Sequence, residues 1–269
     1  MKTKRVITLL TDFGLEDEYA GVMKGVILSI NGEVEIVDVT HQLRRHDIVQ
    51  AALVVESSFR YFPPDSIHVV VVDPGVGGKR NIICAASEGH YFLVPDNGVL
   101  EFILARRKVD CIHAVTDPAH FLREVSATFH GRDIFAPVAA HLAGGLSMSR
   151  LGNTLTLEEL VRIDLPTARR LSDGRLLGTV LSVDHFGNLI TNIDRDTLGA
   201  FIGQRDPADV NIRLGGLHIA GISTAYNAVP EGGPLAVVGS KNRLEIAINQ
   251  GDARTKVKGD EKEVTLTLR

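Results

Sequence analysis

The chain has 269 residues, of which 23% are charged and 44% are hydrophobic, and it carries a formal net charge of −4. This composition is typical of a globular protein that can bury a large core without disulfides or metals. The negative balance and the absence of a Lys- or Arg-rich run exclude an electrostatic nucleic-acid binder, so a small-molecule ligand is expected and no nucleic-acid partner.

Residues 5–142 alternate between strand-like and helix-like patterns, which predicts a mostly parallel sheet covered by helices on both faces. Between positions 19 and 30, apolar residues recur three and four positions apart, as on one face of a helix. Asn31-Gly32 and Pro63-Pro64 then read as helix stops. The predicted strands are 5–10, 34–39, 67–72, 82–86, 91–94 and 112–115, and the predicted helices are 16–30, 48–59, 99–108 and 132–142.

The pattern changes after about residue 165, where Pro166 and then Ser172-Asp173-Gly174 interrupt the chain. Beyond them helical periodicity is almost absent, and short β-like runs separated by Gly, Asn and Pro predict a small antiparallel barrel or sandwich. We therefore expect an N-terminal α/β domain over 1–166, a linker over 167–175 and a C-terminal β domain over 176–269. The β-like runs are 178–184, 189–193, 210–214, 217–222, 235–238, 243–248 and 264–268.

Cysteine usage and the N-terminus indicate the compartment. Cys84 and Cys111 lie in apolar, strand-like segments without metal-ligand spacing, so we expect buried free thiols in a reducing environment. The N-terminal apolar run 6–10 is too short for a signal sequence or a membrane span. We expect a cytoplasmic protein without a membrane partner.

Two distant segments carry ionisable groups beside glycines: VDPGVGGKR, which contains Asp73 and Arg80, and TFHGRD, which contains His130. Asp73 follows a buried strand, and ligands bind at the carboxyl edge of an open α/β sheet. His130 precedes a helix-like stretch, whose first N–H groups point outward. The three side chains can therefore converge on one crevice. The alternatives are a tight turn for the first segment and a helix start with local ion pairs for the second.

Other acidic and aromatic residues have two interpretations each. Asp12 follows the first strand and suits either a ribose diol or an N-cap, and Asp17 suits either a second polar contact or the helix dipole. In VDHFGN (183–188), a turn explains the Asp, Gly and Asn, whereas Phe186 suits stacking on a flat base. Tyr226 is either a core residue or a second stacking surface. The histidines lack HxxxH or HxH pairing, so we predict no metal site.

Taken together, the motifs resemble the S-adenosyl-L-methionine hydroxide adenosyltransferase family, relatives of the fluorinase and chlorinase enzymes. The resemblance covers nearly the whole chain. It implies an N-terminal Rossmann-like α/β domain, a C-terminal β-barrel domain and a homotrimer with sites at subunit interfaces. The motifs are TDFG (11–14), VVDPGVGG (71–78) with Arg80, PDNG (95–98), TFHGRD (128–133), VDHFGNLITNI (183–193) and SKNRLEIAINQG (240–251).

The resemblance also implies a reaction. Hydrolases of the family carry an Asp, Arg, His set that matches Asp73, Arg80 and His130. The fluorinase instead has Tyr where Asp73 and His130 stand, and Ser in place of Gly131. The implied activity is hydrolysis of S-adenosyl-L-methionine to adenosine and L-methionine, by attack of water or hydroxide at ribose C5′ and without a cofactor. The alternatives are a halogenase of the same fold and a non-catalytic module that binds an adenosyl ligand.

Substrate contacts follow from the resemblance residue by residue. Asp12 would hold the ribose hydroxyls with Asp17 nearby, Asp184 the methionine ammonium, and Ser240 with Lys241 the carboxylate. Fluorinase-type chains have Arg where Lys241 stands, and lysine cannot make the bidentate grip of arginine. The residues expected around the rest of the substrate are Phe129, Phe186, Asn188, Tyr226, Asn249 and Gln250.

Overall fold

The computed structural model describes residues 4–257 and 261–269. The chain separates into two compact units, unit 1 (Met1–Ile163) and unit 2 (Asp164–Arg269). The predicted domains also include residues 1–3 and 258–260, which lie outside the described residues. None of the helices in the described part of the chain is long and apolar enough to cross a membrane.

Unit 1 is built on a six-stranded sheet with the order β2-β1-β3-β5-β4-β6. Its helices and strands follow the predicted alternation. The strands are β1 (Arg5–Thr11), β2 (Val34–Thr40), β3 (Ile67–Val71), β4 (Ile82–Ser87), β5 (His90–Pro95) and β6 (Val109–Ala114), and the helices are α1 (Tyr19–Ile30), α2 (Ile48–Ser58), α3 (Glu101–Arg106) and α4 (Ala136–Ala143).

The sheet of unit 1 is parallel from β2 through β1 and β3 to β5. β4 alone of these strands runs against its neighbours, because a tight turn at Glu88-Gly89 joins it to β5 as a hairpin. The predicted mixed α/β fold with a mostly parallel sheet is confirmed.

Side chains alternate between the two faces of this sheet, and each face is covered by helices. On one face Leu9 and Val69 belong to a buried cluster with Phe135, which is fully buried beside α4. On the other face His68 contacts Phe59, which directly follows α2. Burial of His68, with the charge of His90, lowers the pKa of the His68 imidazole to about 3, so a neutral imidazole occupies this core.

The predicted helix over 132–142 begins with a π-helical turn, Gly131–Phe135, before the α-helix continues. Pro137 has no N–H with which to bond the Asp133 carbonyl four residues back. That carbonyl instead accepts a hydrogen bond from Leu122 N at 2.9 Å. The irregular turn therefore ties the start of this helix to the loop that precedes it.

Unit 2 contains an eight-stranded, barrel-like sheet whose paired strands are antiparallel, as predicted. Its first long strand alternates buried and half-buried residues, as expected when one face lies on a core. The strands are β7 (Arg169–Arg170), β8 (Leu176–Val183), β9 (Leu189–Asp194), β10 (Val210–Leu214), β11 (Leu217–Ala220), β12 (Pro234–Val238), β13 (Arg243–Ile248) and β14 (Glu263–Leu268).

One helix of unit 2, α5 (Arg195–Ile202), was absent from the sequence prediction. It spans only two turns and contains Gly199, so its periodicity is weak. The Asp194 side chain caps it by accepting a hydrogen bond from Thr197 N at 2.8 Å, and Leu198 and Phe201 are buried against the barrel core. Local capping and tertiary packing form this helix despite its weak pattern.

Candidate functional site

Three of the sequence motifs meet at one edge of the sheet of unit 1. Asp12 follows β1, Asp73 lies two residues after β3, and Asp96 follows β5. These three strands are neighbours and parallel, so their carboxyl ends lie side by side although the residues are 61 and 23 positions apart in sequence. In the PDNG turn, Asn97 Nδ2 donates to the Val72 carbonyl at 2.9 Å, which fixes the end of β3.

Asp73, Arg80 and His130 form one hydrogen-bonded cluster in this region. Arg80 Nε lies 2.9 Å from both carboxylate oxygens of Asp73, and a terminal guanidinium nitrogen also donates to the carboxylate. Arg80 Nη2 lies 2.9 Å from His130 Nδ1. The Asp73 side chain is only 4% exposed and that of Arg80 is 12% exposed. The arginine therefore links the carboxylate to the imidazole.

The contact with Arg80 defines the tautomer of His130. A guanidinium can only donate hydrogen bonds, so Nδ1 must accept and the proton of the neutral ring is on Nε2. Burial and the charge of Arg80 lower the pKa of His130, against opposing effects of Asp73, Asp133 and the Ser126 backbone. At neutral pH the ring is therefore uncharged and held in one orientation.

The loop that carries His130 is anchored by an ion pair whose carboxylate is buried and whose arginine is partly exposed. Asp133 is fully buried and its Oδ2 accepts a hydrogen bond from Ser126 N at 2.8 Å, while Arg132 Nε donates to Oδ1 at 2.6 Å. Burial raises the pKa of Asp133, but the bonds from Arg132 and Ser126 outweigh it, and the pKa lies below its ordinary value. The alternative of a local ion pair thus holds for Arg132 and Asp133, whereas His130 joins Arg80.

The end of β1 and the segment after it are held by polar contacts from the segment after β2. Thr11 Oγ1 lies 2.9 Å from the His41 ring and Gly14 N donates to the His41 carbonyl at 2.7 Å. Asp12 does not cap α1, whose N-cap is Glu18. Instead, Asp12 Oδ2 accepts a hydrogen bond from His46 N at 2.8 Å. The N-cap alternative for Asp12 is therefore wrong.

A cavity of about 230 Å³ opens beside the cluster. Two of the predicted residues do not line this cavity. Asp17 is exposed, and Arg80 contacts Asp73 and His130, which do line it. Sequence reasoning missed Arg45 and His46, since their segment resembles a charged surface turn. The lining residues are Asp12, Phe13, Arg45, His46, Val71, Asp73, Val76, Thr128, Phe129, His130 and Gly131.

Unit 2 has a cavity of about 630 Å³ that gathers most of the residues expected there. Phe186 is 75% exposed, so its ring is accessible to a flat ligand. Asn249 lies outside this lining, and its side chain donates to the Val229 carbonyl at 2.7 Å. The lining residues are Asp184, Phe186, Asn188, Tyr226, Ser240, Lys241, Glu245, Ile248, Gln250 and Gly251.

Asp184 organises the loop between β8 and β9. Its Oδ1 accepts hydrogen bonds from Phe186 N at 2.9 Å and Asn188 N at 2.8 Å, and its Oδ2 accepts one from Asn188 Nδ2 at 2.9 Å. Gly187 completes the turn at φ +84. The turn interpretation accounts for these residues, and three acceptor sites of the Asp184 carboxylate are already occupied within the loop.

Glu245 is a second carboxylate of this cavity that sequence reasoning missed. It is 4% exposed, and its Oε2 accepts a hydrogen bond from Tyr226 Oη at 3.1 Å. Burial raises the pKa of Glu245, and the charge of Asp184 adds to this. Burial, with the neighbouring Glu245, raises the pKa of Tyr226 to about 12, so the phenol keeps the proton that it donates.

The fold and its polar cavities define a protein that joins a Rossmann-like α/β unit to an antiparallel barrel-like unit, with a candidate ligand site in each. The SAM hydroxide adenosyltransferase N-terminal domain matches residues 7–152, and the corresponding C-terminal domain matches residues 178–264. The chain therefore belongs to the SAM hydroxide adenosyltransferase family.

Individual relatives cover nearly the whole chain. A Thermus thermophilus protein named (R)-S-adenosyl-L-methionine hydrolase is 36% identical over 267 residues, which cover 93% of this chain and 94% of the relative. A protein of Actinoplanes sp. named fluorinase is 27% identical, with 91% of each chain covered. The crystal structure of an uncharacterized conserved protein from Thermotoga maritima aligns with a TM-score of 0.89 and 36% identity, covering 97% of this chain and 99% of the other.

Proposed function

We propose that this protein hydrolyses S-adenosyl-L-methionine to adenosine and L-methionine. The observation that carries the proposal is the Asp73–Arg80–His130 cluster beside a cavity that also contains Asp12. The relatives named (R)-S-adenosyl-L-methionine hydrolase, at 34% to 36% identity, support the same activity.

In the proposed reaction, water attacks ribose C5′ in line with the C–S bond. A C–O bond forms, the C–S bond breaks with its electron pair left on sulfur, and one proton is released. The sulfonium is already a good leaving group, so no acid is needed to protonate it. Positive charge disappears from sulfur as the bond breaks, and a site that excludes water favours this change. No metal or redox cofactor is needed.

The remaining difficulty is the nucleophile, because water has a pKa near 15.7. Asp73 is held by Arg80 through both carboxylate oxygens, and the lone pair of His130 Nδ1 faces Arg80. Both groups are therefore better suited to orient water than to remove its proton completely. We assign Asp73 and His130 to orientation and Arg80 to fixing both and favouring a developing hydroxide. Holding the water in line with the C–S bond supplies much of the rest of the rate acceleration.

The halogenase alternative is less well supported by the site. Gly131 has no side chain, and a Cβ there would lie 3.1 Å from the Phe129 ring and 3.2 Å from Met23 sulfur. Gly131 therefore lacks the hydroxyl of the serine that the fluorinase has at this position, and the space that a side chain would need is tightly packed.

The proposed activity is tested by incubating the purified protein with S-adenosyl-L-methionine and quantifying products by liquid chromatography and mass spectrometry. We expect equimolar adenosine and methionine, with or without chloride or fluoride. A 5′-halo-5′-deoxyadenosine would indicate the halogenase instead. Retention of intact ligand without turnover would indicate a binding module.

Oligomeric state and location are finer parts of the same proposal. The resemblance supports a homotrimer in which the unit 1 cavity of one subunit and the unit 2 cavity of a neighbour share one substrate. We also propose a cytoplasmic location, where S-adenosyl-L-methionine would be available. Light scattering of the purified protein tests the trimer, and a dominant monomer would reject it.

A titration of His130 tests the electrostatics of the cluster. Its pKa lies below the ordinary 6.5, so the ring is neutral above that pH and becomes protonated as pH falls through the lowered value. Protonation of Nδ1 ends the hydrogen bond from Arg80. Arg80→Gln removes the positive charge that lowers the pKa of His130. It also leaves the Asp73 carboxylate, whose charge raises that pKa, without its partner. We expect the His130 midpoint, followed by NMR of the imidazole, to move to higher pH.

Lys79→Gln is the matched control, because it removes one positive charge from the same loop at an exposed position. We expect a clearly smaller movement of the His130 midpoint in this variant. Equal movement in both variants would mean that the general charge of the loop, rather than the Arg80 contact, sets the titration.

A further inference from the structure

The Glu245 carboxylate is buried against the loop that joins β12 to β13. It extends from β13 beneath the hairpin loop 239–242, which carries Ser240 and Lys241. A Cβ at Gly239 would overlap the carboxyl carbon and oxygen of Glu245. The absence of a side chain at Gly239 therefore lets a buried carboxylate lie directly against the loop at the wall of the cavity.

This carboxylate has unused capacity to accept hydrogen bonds. An ionised carboxylate offers about four acceptor sites. Within the described ranges 4–257 and 261–269, the hydrogen bond found for Glu245 comes from Tyr226 Oη. Asp184, the other carboxylate of the cavity, already accepts three hydrogen bonds from its own loop. Of the two carboxylates that line this cavity, Glu245 therefore has more spare acceptor sites than Asp184.

The charge around Glu245 is also incompletely balanced. Lys241 is near enough to lower its pKa, but burial and Asp184 have the opposite effect and the pKa is raised. A buried carboxylate gains most from a partner that is both cationic and a hydrogen-bond donor. A primary ammonium group, with its three donors, has that chemistry, whereas a sulfonium has the charge without a donor.

We propose that Glu245 is a binding residue for the α-ammonium of the amino-acid part of the substrate, in addition to Asp184. This inference rests on the proposed function, because it takes the methionine portion of S-adenosyl-L-methionine to lie in the unit 2 cavity. Glu245 thereby selects adenosyl compounds that carry an ammonium over neutral nucleosides. The hydrogen bond from Tyr226 Oη helps to hold the carboxylate in place.

The inference is tested with Glu245→Gln, which keeps the size of the side chain and an oxygen that accepts from Tyr226. Affinities are measured by calorimetry for S-adenosylhomocysteine, which has the ammonium without the sulfonium charge, and for adenosine, which has neither. We expect the Kd of S-adenosylhomocysteine to rise about 10- to 100-fold, the range for a lost charged hydrogen bond. The KM for S-adenosyl-L-methionine should rise similarly, with the Kd of adenosine within about twofold.

Two further variants and a control test whether the position and the charge of the carboxylate matter. Gly239→Ala displaces the carboxylate without removing it and should cause the same selective loss, whereas Glu245→Asp keeps the charge and should recover part of the affinity. Glu263→Gln, an exposed glutamate of the same unit, is the control and should bind as wild type. Unchanged adenosine binding in Glu245→Gln shows that the cavity is intact.

Three outcomes would overturn the inference: unchanged affinity for S-adenosylhomocysteine, equal weakening of adenosine, or weakening of S-adenosyl-L-methionine alone, which would indicate a sulfonium contact. The proposed function fails separately, if the wild-type protein binds S-adenosylhomocysteine but does not consume S-adenosyl-L-methionine.

Discussion

Asp73→Asn should lower kcat for S-adenosyl-L-methionine hydrolysis by roughly 10²- to 10⁴-fold, because a carboxylate that orients the attacking water also accepts part of its proton charge in the transition state. The substitution preserves the size of the side chain but removes its charge. Arg80 then loses its bidentate partner, and neither the guanidinium nor the His130 ring that it holds keeps its orientation. The affinity for adenosine should change little, because the substitution leaves unaltered both Asp12, the residue proposed to hold the ribose hydroxyls, and the unit 2 cavity.

The measurement compares kcat from steady-state product formation with the Kd of adenosine. Asp173→Asn is the control, since Asp173 also pairs with an arginine, Arg175, in an exposed turn of unit 2. That variant should retain wild-type kcat. A wild-type kcat in Asp73→Asn, or a loss of adenosine binding as large as the loss of kcat, would exclude Asp73 from the chemistry.

The sequence was sufficient for the element order because most strands and helices are bounded by strong local signals. The apolar run before Asp73 and the Pro63-Pro64 stop predicted β3 and the end of α2 close to their observed bounds. The order of the strands in the sheet, in contrast, has no local sequence signal. It is set by tertiary packing, and it brings Asp12 beside Asp73.

Residues that the prediction missed have no local pattern that marks them. Glu245 alternates with apolar residues in a strand, which ordinarily places a charge in solvent, yet the gap at Gly239 buries it. His46 follows two arginines and has a left-handed backbone at φ 65, and its N–H donates to Asp12. In both cases the decisive partner lies outside the local pattern: Gly239 is in the loop before β13, and Asp12 is 34 positions from His46.

Gly77→Ala should be the most damaging single-methyl substitution in the loop between Asp73 and Arg80. Gly77 has φ +74, and a Cβ there would overlap the carbonyl of Ala127, in the segment that leads to His130. The left-handed backbone costs roughly 1–2 kcal/mol for a residue with a Cβ. Relieving the overlap should cost roughly 1–3 kcal/mol more, as in overpacked sites.

The matched control is Gly89→Ala in the hairpin turn between β4 and β5. Gly89 has φ +78, but a Cβ there would meet no atom within 4 Å, so the variant carries the backbone penalty alone. Urea unfolding followed by circular dichroism should show a larger loss of unfolding free energy for Gly77→Ala. Its kcat should also fall, because the overlap separates the loop of Asp73 and Arg80 from the segment of His130, whereas Gly89→Ala should keep wild-type kcat. Equal stability and activity in the two variants would mean that the contact between Gly77 and Ala127 does not hold the two halves of the cluster together.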